Sequence, residues 1–146
     1  QTSFDSHIAA DGEEFRIGDV TIRALHTPGH TMESTTYLLL DPDGNEHAIF
    51  TGDTLFLGDV GRPDLAQKSA SLTQEELAGT LFNSLREKIM PLPDDVTVYP
   101  AQGAGSSCGK NMMKVTVDTL GNQKRMNNVL RADMTRKTSF KRSQMV

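Results

Sequence analysis

The chain has 146 residues, 36% of them apolar and 23% charged, with a formal net charge of −4; that is enough for one hydrophobic core and short for two. A net acidic chain lacks the clustered Lys and Arg that phosphate binding needs, so no nucleic-acid partner is expected. A lone cysteine, Cys108, rules out an internal disulfide, and no apolar run approaches a membrane span, so a reducing, cytoplasmic location without a membrane partner is expected.

In chain order, alternation of Phe15, Ile17, Val20, Ile22 and Leu25 around Gly18-Asp19 predicts two short strands joined by a tight turn. The second strand runs into His26-Thr27-Pro28-Gly29-His30. His26 and His30 have the spacing of one helical face, but Pro28 and Gly29 forbid a helix, so the two imidazoles are expected to point differently. Tyr37 to Leu40 and His47 to Phe50 predict a hairpin around Asp41-Pro42-Asp43-Gly44-Asn45, and its second strand delivers Thr51-Gly52-Asp53. Gly52 is expected to permit close backbone approach beside Asp53, whose side chain reads either as a turn or helix cap or as a metal-binding carboxylate.

Residues 55 to 67 are rich in Gly and Asp and predict a loop. Thr73 and Glu76 form a capping-box pattern, and Leu77, Leu81, Leu85 and Ile89 recur at helical spacing until Pro91, predicting a helix from Gln74 to Met90. Val96 to Tyr99 predict a strand, AQGAGSSCG a small-residue loop, and Met112–Leu120 and Gln123–Leu130 two further helices. Residues 131 to 146 carry Arg131, Arg136, Lys137, Lys141 and Arg142 against the acid Asp133, which predicts a disordered basic tail behind a domain of residues 1 to 130.

HTPGHTMESTTYLL, IFTGDTLFLGDVGRPDL and VYPAQGAGSSCGKNM together resemble the second half of a metallo-β-lactamase-fold enzyme, over roughly residues 14 to 130. The persulfide dioxygenase type, some members of which are fused to rhodanese domains, is the best match; glyoxalase II-type thioester hydrolases come next. The resemblance implies an α+β fold, the αββα sandwich, of which this chain would supply the C-terminal sheet and its helices. It also implies that His30 and Asp53 are metal ligands, for Fe(II) in the dioxygenase type or Zn(II) as the alternative. Arg62 would lie near the pocket for a small thiol or persulfide substrate, or else form a loop-fixing ion pair with Asp64 or Asp59. Cys108 reads either as a reactive thiol, its pKa lowered by Lys110 and a following helix N-terminus, or as a buried inert one. His26 and His47 read as structural or exposed.

Two departures from the family pattern limit what it implies. Its HxHxDH motif is absent, and Gln102 stands where a ligand histidine is usual. In the resembled dioxygenases one histidine of that motif joins the counterparts of His30 and Asp53, while the Gln102 position serves the second metal of dizinc relatives. Three functions follow as expectations: a fragment or degenerate copy of a persulfide dioxygenase, a thioester hydrolase, or a noncatalytic domain without a complete metal site. The chain alone is expected to be inactive and to hold metal weakly. The bare face of a half-sandwich predicts a homodimer or pairing with the missing N-terminal half.

Overall fold

In the computed structural model, which describes residues 3–66, 71–109, 111–133 and 135, the alternation of apolar and polar residues builds six strands into one sheet whose order follows the chain. Strands β1 (Glu14–Ile17) and β2 (Val20–His26) form the predicted hairpin around Gly18-Asp19. β3 (Thr35–Leu40) and β4 (Glu46–Gly52) form the second hairpin, in whose turn Asp41 Oδ1 accepts hydrogen bonds from the backbone of Asp43 and Asn45 at 2.9 and 2.8 Å. After a crossover, β5 (Thr97–Pro100) returns parallel to β4, and β6 (Asp118–Thr119) closes the edge antiparallel to β5.

The crossover contains α1 (Gln74–Ser84), which begins at the predicted capping box: Thr73 accepts from the backbone of Glu76, and Glu76 accepts from that of Thr73. From Leu85 to Ile89 the helix continues as one π-turn, marked by the 2.9 Å bond from Met90 N–H to the Leu85 carbonyl. The stripe Leu77, Leu81, Leu85 and Ile89 is buried as its spacing predicts, and all but Leu77 join one core cluster with Leu38, Ile49, Val98 and Leu120. Each such burial contributes roughly 1.5–3 kcal/mol relative to exposure. The opposite sheet face carries Tyr37, Phe50 and Tyr99, which are 42%, 40% and 41% exposed. They are cross-strand neighbours on β3, β4 and β5, and the Phe50 and Tyr99 rings stack at 5.3 Å.

The chain after β5 departs from expectation. Residues 112 to 117 are irregular, not helical, and α2 spans only Leu120–Met126. The β-branched run Val115-Thr116-Val117 resists helix formation, and Met113 N–H is drawn to the Leu57 carbonyl at 2.7 Å. The helix starts where Thr119 can cap it, its hydroxyl accepting from Asn122 N–H at 3.2 Å. It stops short of the predicted Leu130 because Asn127 is extended and turns its side chain to the Phe56 and Asp59 carbonyls. Residue 67 of the predicted loop, and residues 134 and 136–146 of the predicted tail, lie outside the described residues.

Candidate metal centre

The antiparallel succession makes β2 and β4 run in one direction, and β5 is parallel to β4. The loops after these strands therefore open at one end of the sheet. They carry His30, Asp53 and Gln102, and the structure brings all three together.

His30 is buried, with Nδ1 2.9 Å from the Arg62 carbonyl oxygen. A carbonyl only accepts, so Nδ1 carries a proton, which leaves Nε2 as the ring nitrogen able to ligate a metal. Nε2 lies 3.7 Å from Asp53 Oδ2, too far for a hydrogen bond. Two lone-pair donors bonded to one ion at roughly 2.0–2.2 Å each lie about 3–3.6 Å apart, so the pair stands just outside the spacing of a shared cation and needs only a small inward shift to reach it. The bond from Nδ1 to a backbone carbonyl is also the usual outer support of a ligating histidine.

Asp53 does not spend its carboxylate on capping its own turn. Its Oδ1 accepts from Gln102 Nε2 at 2.7 Å, and the Ser106 hydroxyl donates to Gln102 Oε1. Gly52, which precedes Asp53, has φ 53°, and a Cβ there would approach only the Thr35 carbonyl, at 3.8 Å; it is needed for its left-handed backbone, not for the close approach expected. Close approach belongs to Gly61, where a Cβ would stand 1.8 Å from the Asp53 carbonyl oxygen and 3.1 Å from His30 Cβ. Beneath the site, the buried Thr27 hydroxyl meets those of Thr36 and Thr54 at 3.1 and 3.0 Å, tying the His30 loop to the Asp53 turn.

Of the two readings of Arg62, the structure shows the loop-fixing ion pair, made with Asp64, Nε to Oδ1 at 3.1 Å and Nη2 to Oδ2 at 2.6 Å, while Nη1 donates to the Ser107 carbonyl at 3.2 Å. The hydrogen bond to Asp64, then that carboxylate's charge and the nearby Cys108, raise the guanidinium above its ordinary value. Cys108 is half-buried, and its backbone is fixed by Arg62 N–H on its carbonyl and by Ser106 Oγ on its N–H. Among the described residues the helix expected directly behind it is not there, since α2 begins only at Leu120, and Lys110 lies outside the described residues. His26 gives its Nε2 proton to the Met32 carbonyl at 2.7 Å, and His47 is exposed beside the hairpin turn.

Ser106 and the loop-holding pair Gln123 and Asn127 escaped sequence reasoning. Both of the latter are fully buried; Gln123 Oε1 accepts from Gly58 N–H at 2.8 Å, and Asn127 donates to the Phe56 and Asp59 carbonyls at 3.2 and 2.9 Å. A polar residue inside an expected helix gives no sign of such a role. Among the described residues no group of three or more His, Cys, Asp or Glu is placed to hold a metal ion. His30 and Asp53 fit part of a metal site, and the remaining ligands would have to come from elsewhere.

No family model matches the chain. Among curated proteins, a probable hydroxyacylglutathione hydrolase of Schizosaccharomyces pombe is 39% identical over 95 residues, covering 65% of this chain and 32% of its own length. The mitochondrial persulfide dioxygenase ETHE1 of Homo sapiens is 38% identical over 98 residues, covering 66% of this chain and 33% of its own length. The chain thus spans about a third of these two relatives. Among solved structures, a metallo-β-lactamase from Staphylococcus aureus aligns with TM-score 0.81 and 34% identity over 94% of this chain and 39% of that one. ETHE1 from Myxococcus xanthus aligns with TM-score 0.68 and 30% identity over 93% and 50%. The chain is a metallo-β-lactamase-fold protein whose homologues include persulfide dioxygenases and hydroxyacylglutathione hydrolases.

Proposed function

We propose that this chain supplies the His30 and Asp53 half of a single-metal centre in a persulfide dioxygenase, iron being the metal. The observation that carries the reading is the pair itself: an imidazole Nε2 and a carboxylate oxygen 3.7 Å apart, with the ring oriented by the bond from Nδ1 to the Arg62 carbonyl. Bound Fe(II) would supply the redox chemistry with O2. The overall reaction, RSS⁻ + O2 + H2O giving RS⁻ + SO3²⁻ + 2H⁺, oxidises the outer sulfur to sulfite and releases the thiolate. Within it, His30 and Asp53 hold and orient, and the N–H groups of Arg62 beyond those bound to Asp64 and Ser107 are donors for the anionic end of a thiol or persulfide.

A thioester hydrolase using metal-bound water is the second reading. Gln102 speaks against its dizinc form, since the amide nitrogen turned toward Asp53 has no lone pair to give and the amide oxygen is held by Ser106. On either reading the remaining ligands come from an N-terminal half, whose sheet would cover Tyr37, Phe50 and Tyr99.

The test compares the chain alone with the chain joined to a half bearing HxHxDH, measuring iron content, O2 uptake with glutathione persulfide, and thioester cleavage. Iron, O2 uptake and sulfite in the joined protein alone are the expected outcome. Thioester cleavage without O2 uptake selects the hydrolase, and neither activity discards both. One tightly held iron in the chain alone would contradict the split of ligands between halves.

A further inference from the structure

We propose that Gln102 and Ser106 are positioning residues that clamp Asp53, presenting one carboxylate oxygen, Oδ2, to a cation beside His30 and shutting out a second ion bridged through the other oxygen. This rests on the metal-holding reading above and deepens it. Asp53 and Gln102 stand just beyond the aligned ends of the parallel strands β4 and β5, where Gly52 pairs with Pro100. The amide Nε2 reaches Asp53 Oδ1 at 2.7 Å. Behind it, the Ser106 hydroxyl has one proton to give and gives it to Gln102 Oε1, while its oxygen accepts Cys108 N–H at 3.1 Å.

The chain of donors has one direction: Cys108 N–H to Ser106, Ser106 to Gln102, Gln102 to Asp53. Reversing the amide would set Oε1 against a carboxylate oxygen, lone pair against lone pair. Gln102 is therefore held with its NH2 toward Asp53, and Oδ1 is filled on the side away from His30 while Oδ2 faces Nε2. A carboxylate that bridges two ions through both of its oxygens would have to give up this bond. Here one is spent on the clamp.

The experiment uses the metal-free, isotope-labelled chain. If Ser106 orders the amide, Ser106→Ala speeds solvent exchange of the Gln102 side-chain protons by about tenfold, the loss equivalent to one hydrogen bond, and shifts the Asp53 carboxyl carbon. Ser106→Thr keeps the hydroxyl and restores both signals, which a merely structural role would not predict. Gln102→Leu, its fold verified by the backbone amide spectrum, must also move the Asp53 carbon. Unchanged exchange and an unchanged Asp53 carbon in Ser106→Ala would overturn the clamp.

Zinc titration then tests the one-ion consequence. No more than one ion at His30 and Asp53 in the parent chain is expected. Two ions in the parent overturn the proposal. Zinc that disturbs neither residue defeats the metal reading and its one-ion consequence, a failure distinct from loss of the clamp, which is read without metal.

Discussion

Replacing Asn127 by Leu should loosen the loop that orients His30, although Asn127 lies in the last turn of the fold and touches neither His30 nor Asp53. Its side chain is fully buried and donates to the carbonyls of Phe56 and Asp59, while its Oδ1 accepts Val129 N–H at 3.0 Å. Leucine fills a similar volume and offers none of these bonds. The Asp59 carbonyl keeps the Phe56 N–H at 2.9 Å, so the groups that lose their partner are the Phe56 carbonyl and the Val129 amide. A buried polar group left unpaired costs about 1–3 kcal/mol, which applies in full to the Phe56 carbonyl and in part to the half-buried Val129 amide, so a loss of roughly 2–4 kcal/mol is expected. With a urea slope of about 2 kcal/mol per molar, the middle of the usual range, the unfolding midpoint should fall by about 1–2 M. Asn127→Asp, which keeps the acceptor and loses both donors, should be destabilised as well. The His30 ring should also register the change, because the Arg62 carbonyl that orients it belongs to the same loop. A midpoint shift under about 0.3 M would refute the reasoning.

Gly61→Ala should destabilise by at least about 1–3 kcal/mol, because the new methyl would lie 1.8 Å from the Asp53 carbonyl; thermal unfolding measures it, and an unchanged melting point would count against the packing described. Asp11 has its carboxyl pKa lowered first by the hydrogen bond from Lys88 and next by the His26 backbone N–H. A depressed folded-state value contributes stability above the ordinary 3.8 that is lost as pH falls below it, so Asp11→Asn should flatten the acid limb of the stability profile in that range. The row Tyr37, Phe50 and Tyr99 should drive self-association of the isolated chain, and Phe50→Lys should reduce it with the fold intact; a well-folded monomer of the parent chain in light scattering would contradict this.

The strands and α1 were legible because each has one buried face, and a period of two or of 3.6 residues records that face directly. Leu77, Leu81, Leu85 and Ile89 announce the helix, and the pairing of Thr73 with Glu76 announces its start. His30 and Asp53 were legible as ends of strands, and the register of β2, β3 and β4 converts those ends into neighbours. The stretch from 112 to 130 misled because Met112, Met113, Val115 and Leu120 mimic helical spacing, whereas contacts with the 55–60 loop and the Thr119 cap decide its path. Ser106 left no mark in the sequence, because its role depends on a hydroxyl meeting one amide in a loop without periodicity.

The central claim is that His30 and Asp53 converge on one cation. Anomalous diffraction from crystals of the chain soaked in a cobalt salt tests it most directly. A cobalt peak within bonding distance, about 2.0–2.2 Å, of both His30 Nε2 and Asp53 Oδ2 is predicted, and it should vanish in Asp53→Asn. Cobalt bound only at other side chains, or a refined structure with the two groups turned apart, would contradict it.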